Sequence, residues 1–220
     1  MVINWYGQSC FKIQTSGSNL TEGQVTIVTD PFARETGLVP PRFQADIVTI
    51  SHQHYDHNNI ESLKGESFIV ETPGEYEIKG IAIKGVKSFH DQQEGKERGG
   101  NIIFLIKTEG MVLCHLGDLG QKKLDAGQIE ALNSVDILFV PVGGKYTIDG
   151  SEAAEIVTQI EPRIVIPMHY KIKGLKEELA DEKEFLEELG EADPERVEKL
   201  VLKKKDLPEE EQTRVVVFKN

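Results

Sequence analysis

The chain predicts an α/β architecture in which sheets are sandwiched by helices. Short β-branched runs follow one another through its first half, and similar runs alternate with amphipathic helical segments through the second. Several of these runs also stop abruptly at a histidine or an aspartate, which gives the predicted sheets one chemically distinct edge.

The opening strands are VINWYG (2–7), CFKIQT (10–15) and VTIVTD (25–30), separated by Gly, Ser and Asn turn signals. FARETGLVPPRF (32–43), with two adjacent prolines, reads as a loop. DIVTIS (46–51), SFIVETP (67–73), IAIKGVKSF (81–89) and NIIFLIKT (101–108) are mostly unbroken apolar runs, as covered strands are. MVLCHLGD (111–118), VDILFVPVGG (135–144) and RIVIPMHY (163–170) share that character, and TRVVVF (213–218) closes the chain as a last strand.

Three helices are expected between the later strands. DAGQIEALNS (125–134) spaces Ala126, Ile129 and Leu132 three apart. SEAAEIVTQI (151–160) is capped by Ser151, with Glu152 in its first turn. GLKEELADEKEFLEELG (174–190) sets Leu175, Leu179, Phe185, Leu186 and Leu189 on one stripe, stops at Gly190, and turns its acidic run to solvent. With no repeat, low-complexity tract or linker, residues 1–220 read as a single domain.

The chain carries 37 acidic against 25 basic side chains, a formal net charge of −12. That field repels phosphate backbones, and the best basic run, KLVLKKKD, leads straight into LPEEEQ. Long nucleic acid is therefore disfavoured as a partner, whereas a small anion at a metal site is not. MVINWYGQSCFKIQ lacks the charged-then-apolar pattern of a secretory signal, and no apolar segment approaches the ~20 residues of a membrane helix. Cys10 and Cys114 form no CxxC and are too few for a disulfide scaffold, so a reduced cytoplasm is expected.

The chemistry concentrates in DIVTISHQHYDHNN (46–59), where three of the six histidines and a carboxylate follow an apolar run. Side chains alternate faces in an extended chain, so His52 and His54 point the same way. Asp56 and His57 are adjacent and cannot share a face of a continuing strand, so the chain turns here and lets ligating groups converge from a loop. These groups suit one metal incompletely, or two metals if further ligands arrive. Candidates stand at other strand ends: His90 after VKSF, His115 and Asp118 in MVLCHLGD, and His169 after RIVIPM. Asp118 either begins a turn or supplies the negative bridge two cations need. His115 is expected to orient a ligand or to pack within its strand.

SHQHYDH, followed by SFH, HLGDLG and IPMHY, resembles the metallo-β-lactamase superfamily. YGQSCFKI, TDPF, HLGDLG and PVGGKYTID resemble its Zn-dependent hydrolase branch, which includes ascorbate-6-phosphate lactonase-like proteins. The resemblance spans nearly the whole chain. It implies a four-layer αβ/βα sandwich with a dinuclear site at one sheet edge. By the same resemblance His52, His54 and His90 hold a first metal, Asp56, His57 and His169 a second, and Asp118 bridges them. Asp30 of TDPF matches a carboxylate near the metal loop, although an aspartate before Pro31 also suits a simple turn.

The expected activity is hydrolysis. Two divalent ions, zinc by the donor set with manganese and iron also compatible, would activate a water towards a small ester, lactone or phosphoester. Asp56 is the expected proton carrier. No GxSxG, GxxxxGK[ST] or GxGxxG competes with this reading. Arg98, Lys145, Tyr146 and Tyr170 are substrate candidates, each with ordinary surface or core packing as its alternative. The absent secretory signal argues against an antibiotic-hydrolysing role, the short chain against the messenger-RNA-cutting relatives, and His54 against the oxygen-reducing di-iron relatives, which carry Glu there. Two other classes stand beside hydrolysis of a small molecule: a phosphodiesterase acting on nucleotides or short RNA, and a non-catalytic metal-binding protein.

Overall fold

A computed structural model describes residues 1–16, 23–209 and 212–219. In chain order the first strands are β1 (Val2–Gly7), β2 (Cys10–Ser16), β3 (Gln24–Thr29), β4 (Ile47–Thr49) and β5 (Phe68–Val70). There follow β6 (Gly74–Ile78), β7 (Ile81–Phe89), β8 (Gly100–Thr108) and β9 (Met111–His115). The second half runs α1 (Ala126–Ala131), β10 (Ile137–Pro141), α2 (Gly150–Ile160), β11 (Ile164–Met168), α3 (Lys183–Glu188), β12 (Glu195–Val197), β13 (Leu200–Val201) and β14 (Arg214–Phe218).

These strands form two sheets, one ordered β13-β1-β2-β3-β4-β5 and the other β12-β14-β11-β10-β9-β8-β7-β6. Alternate residues of both, among them Ile3, Phe11, Ile13, Ile27, Phe104, Phe139, Ile166 and Phe218, meet in the core between them. The outer face of the second sheet supplies Ile103, Leu138, Val140 and Val217, which pack beneath Ile156, Val157, Phe185 and Leu186 of α2 and α3. That double covering is why β10 and β11 are buried at every position. The outer face of the first sheet packs Val28, Phe32, Val48 and Ile50 against Leu38, Phe43 and Leu63. Its cover is coil with 3-10 turns at Arg34–Thr36 and Ile60–Ser62, not an α-helix. The result is an α/β sandwich with a thin outer layer on one side.

Three helical expectations are corrected. Asp149, not Ser151, caps α2: its carboxylate accepts the Glu152 N–H at 2.9 Å while the Glu152 side chain returns to the Asp149 N–H, a reciprocal pair that Ser151 lies inside. In α1 the inward residue is Gln128, and Ile129 is 43% exposed. The stripe from 174 to 190 is helical only over Lys183–Glu188. Residues 171–182 instead spend their backbone on distant partners: Lys171 N–H on Ala180, Lys176 N–H on Thr36 and Ala180 N–H on Gly143. Leu179 is buried from this loop, so its apolar spacing is met without a helix.

Candidate metal centre

The candidate ligands gather at one rim for a topological reason. β3, β4 and β5 run parallel, and β9, β10 and β11 run parallel with β7 pointing the same way. Asp30, the 51–57 loop, His90, Asp118 and His169 follow the C-terminal ends of β3, β4, β7, β9 and β11. Close backbone approach tightens the rim. A side chain at Gly120 would strike the His90 backbone, and one at Gly143 the His169 carbonyl.

Two sets of possible ligand atoms result. His52, His54 and His90 form one, and Asp56, His57, Asp118 and His169 the other; within each set the atoms lie within 4.8 Å of one another. Asp118 faces both. Its Oδ2 lies 3.1 Å from His57 Nε2 and 3.3 Å from His169 Nε2, and 3.7 Å from His90 Nε2 and 4.0 Å from His52 Nε2. Asp56 Oδ2 lies 3.2 Å from His57 Nε2 and 3.9 Å from His169 Nε2.

Surrounding groups aim these side chains. Asp30 Oδ2 lies 3.1 Å from His57 Nδ1, so a proton there leaves Nε2 free to face the rim. The same carboxylate accepts Ser51 N–H at 2.7 Å and Ser51 O–H at 2.6 Å, which anchors the loop that bears His52. Ser51 Oγ in turn lies 3.0 Å from His52 Nδ1. Asn101 Oδ1 accepts the Asp118 N–H at 3.0 Å. His115 is occupied elsewhere: Nε2 lies 2.8 Å from the Ser9 carbonyl and Nδ1 accepts the Gly117 N–H at 3.2 Å, so it packs as a core group and supplies no free lone pair to the rim.

Burial pushes the Asp118 carboxyl up, but His169 and His57 outweigh it and hold it well below the usual range. Burial likewise opposes charge on His57, yet Asp118 and Asp56 raise its pKa well above the ordinary imidazole value. His52 and His90 behave oppositely. Burial, with His57 beside His52, brings them down to about 3 and about 4.

This arrangement fits cations. His52 Nε2 is buried and makes no hydrogen bond among the described residues, and such an atom is costly unless something binds it. Imidazole with carboxylate is the donor set of zinc-like divalent ions.

A family model described as a β-lactamase superfamily domain matches residues 2–169. The crystal structure of a Thermotoga maritima protein of the metallo-β-lactamase superfamily is 38% identical, with a TM-score of 0.77 over 99% of each chain. The chain belongs to the metallo-β-lactamase superfamily. Metal-dependent hydrolases of Lysinibacillus sphaericus and Thermoplasma acidophilum are 30% and 28% identical, over 77% and 76% of this chain and 85% and 82% of theirs. Within the superfamily the chain is a metal-dependent hydrolase, and its sandwich is of the metallo-β-lactamase type.

Beside the rim of this superfamily member lies a cavity of about 270 Å³, lined by His54, Tyr55, Asp56, His90, Arg98, Asp118, Tyr146, His169 and Glu177. Arg98 and Tyr146, two of the substrate candidates, border it. Lys145 stands beside the Tyr146 ring, 5.3 Å from its centroid, and pairs with Glu178 at 3.4 Å. Tyr170 is corrected: it is 1% exposed, packed on Trp5 at 5.1 Å, and belongs to the core because the left-handed turn at His169 directs the following residue inward.

Three residues at the site went unassigned. Gln8 sits fully buried at φ 48°, with Nε2 3.5 Å from both Asp56 Oδ2 and His169 Nε2 and bonded to Glu177. Tyr55 donates to Glu177 Oε1 at 2.7 Å. Glu177 was hidden inside a spurious helical stripe, and Tyr55 by its flanking ligands. A Gly-Gln turn between two short strands was the available signal for Gln8.

Proposed function

We propose that this chain hydrolyses a small ester, lactone or phosphoester with the help of two divalent ions. His52, His54 and His90 would hold one ion, Asp56, His57 and His169 the other, and Asp118 both. The observation that carries this reading is the approach of one Asp118 oxygen to four imidazole nitrogens drawn from the two sets, at 3.1 to 4.0 Å. When bound, such ions lower the pKa of a water towards ~7 and neutralise charge growing on the attacked oxygen.

The chain's own groups do the rest. Asp56, 8% exposed at the cavity wall, takes a proton from the attacking water and returns it to the leaving oxygen. Its carboxyl is driven well down by His57 and His169 in spite of burial, which keeps it in the anionic form that a cation requires. Gln8 donates towards Asp56 Oδ2, the oxygen that faces His57 and His169, and so helps to orient that carboxylate. Asp30 holds His57 in one orientation.

The core shared by the two sheets supports a single domain. The free, buried Cys10 and Cys114 support a reducing compartment such as the cytoplasm, and no helix among the described residues is long and apolar enough to cross a membrane. The net charge of −12 weighs against nuclease action. Elemental analysis of the purified protein, followed by an ester, lactone and phosphodiester panel with zinc, manganese or iron restored, tests the proposal. Two metal equivalents with turnover on at least one ester, lactone or phosphoester are expected. Full occupancy without turnover on any would leave a metal-binding protein.

A further inference from the structure

We propose that Arg98 is the anion-recognition residue of this hydrolase, that Asp91 positions it, and that the substrate carries a carboxylate or phosphate oxygen group near the bond that breaks. The inference rests on the hydrolytic reading and specifies its substrate class.

The geometry begins at His90, where β7 ends. The next residue, Asp91, is 6% exposed and faces into its own loop. Its Oδ1 accepts the N–H groups of Gln93 at 2.7 Å and Gly95 at 2.9 Å. Its Oδ2 accepts those of Glu97 at 3.0 Å and Arg98 at 2.8 Å. Four backbone donors thus close on one carboxylate, and residues 91 to 98 wrap around it. The loop is pinned at its base as well, with the Gly99 N–H on Gly95 and the His90 N–H on Gly99. Gly95 has φ 80°, and a side chain there would press on the Gly99 backbone at 2.9 Å. The loop therefore presents Arg98 from a built frame.

The Arg98 guanidinium lies 4.7 Å from the centre of the Tyr146 ring, a stacking contact that flattens it while leaving its N–H edge open. Arg163, Arg196 and Arg214 each face a carboxylate, whereas Arg98, like Arg34 and Arg42, makes no ion pair among the described residues, and of these three Arg98 alone borders the cavity at the ligand sets. Arg98 borders the 270 Å³ cavity at the ligand sets and a neighbouring one of about 470 Å³ that also carries Lys87. Of the carboxylates on the first cavity, Asp56 and Asp118 face His57 and His169 and Glu177 is engaged by Tyr55 and Gln8, while Glu71 on the second accepts from Gln53. An oriented guanidinium without a carboxylate, beside a hydrolytic centre, matches a planar anionic group.

The test compares 4-nitrophenyl hemisuccinate with 4-nitrophenyl acetate on metal-loaded protein; the two esters share a leaving group and differ by one carboxymethyl group, which carries the added negative charge. Arg98→Ala is expected to lower kcat/KM for the hemisuccinate about 10- to 100-fold more than for the acetate, the scale of a charge-assisted hydrogen bond. Arg98→Lys should recover part of the difference, because it keeps the charge and loses the fork. Asp91→Ala should reproduce the selective loss, mostly in KM and at full metal content, with Asp91→Asn partly restoring it. An equal fall for both esters in Arg98→Ala overturns the assignment, and a fall shared by both esters or a loss of metal in Asp91→Ala overturns the positioning role. If the wild type cleaves neither ester, that counts against the hydrolytic reading separately. The anion site is then decided by calorimetric titration of succinate into metal-loaded protein: weaker binding to Arg98→Ala than to wild type supports it, and equal affinity overturns it.

Discussion

The two ligand sets are built to different standards. In the set of Asp56, His57, Asp118 and His169 every member is buried, and Asp30, Ser9, Asn101 and Gln8 reach it from behind. Its imidazoles already face carboxylates, so His57 and His169 are both shifted towards the charged form, against their burial. In the other set His54 is exposed, and the rings of His52, His54 and His90 lie 4.5 to 5.1 Å apart, edge-on or tilted. Asp118, shared from the first set, is the carboxylate facing them. The difference teaches that the first set is held by several protein hydrogen bonds, whereas the second has the Ser51 contact to His52 and leaves His54 exposed, with members of both sets bordering the cavity.

The strongest way to break this comparison is Asp118→Ala. Because Asp118 faces both sets, activity should fall at least about 10³-fold, several kcal/mol of lost charge stabilisation, and metal content should drop at both sites. If only one equivalent is lost, the shared role is wrong. Asp30→Asn is expected to act on one set alone, weakening the metal held with His57 by about 10- to 100-fold in competition titrations while the His52–His54–His90 set keeps its affinity.

Chelator treatment should resolve two phases. The ion bound through exposed His54 should leave first and the buried one several-fold more slowly; a single phase would mean that the sets behave as one unit. The smallest effect lies far from either set. Glu109 meets the Met1 ammonium at 2.9 Å and accepts from Ser16 and Thr15. Burial raises its carboxyl, but these partners lower it below its ordinary 4.5. A lowered folded pKa contributes stability that is present above about 4.5 and lost as pH falls through the folded value. Glu109→Gln should therefore cost about 1 kcal/mol at neutral pH, and its gap to wild type in urea midpoints should close on acidification while neutral-pH metal content is unchanged. A gap that persists below pH ~3 would remove the ionised Glu109 clamp from the account.

Much of the rim was legible along the chain. His52, His54, Asp56 and His57 are separated by so few residues that only a turn could use them together, and His90, Asp118 and His169 each follow an apolar run. What failed were judgements that needed a partner. The 174–190 stripe has helical spacing, yet Lys176 and Ala180 bond to Thr36 and Gly143, and tertiary contacts outweighed a weak local preference. Strands β6 and β12 are short edge segments rich in charge, and the edge strand β13 is only Leu200 and Val201, too short to show a periodicity. Tyr170 looked available because it follows His169, and it turned inward.

By itself the sequence determined the alternation of buried strands and amphipathic helices, and the residue types that close those strands, because both are properties of neighbouring residues. Only the tertiary structure decided that one Asp118 oxygen faces four imidazoles, that Gln8 and Glu177 meet across 169 positions, and that Arg98 meets the Tyr146 ring on the same cavity. Those contacts join loops at the ends of strands far apart in the chain, and no local pattern encodes a distance that exists only after the strands have packed.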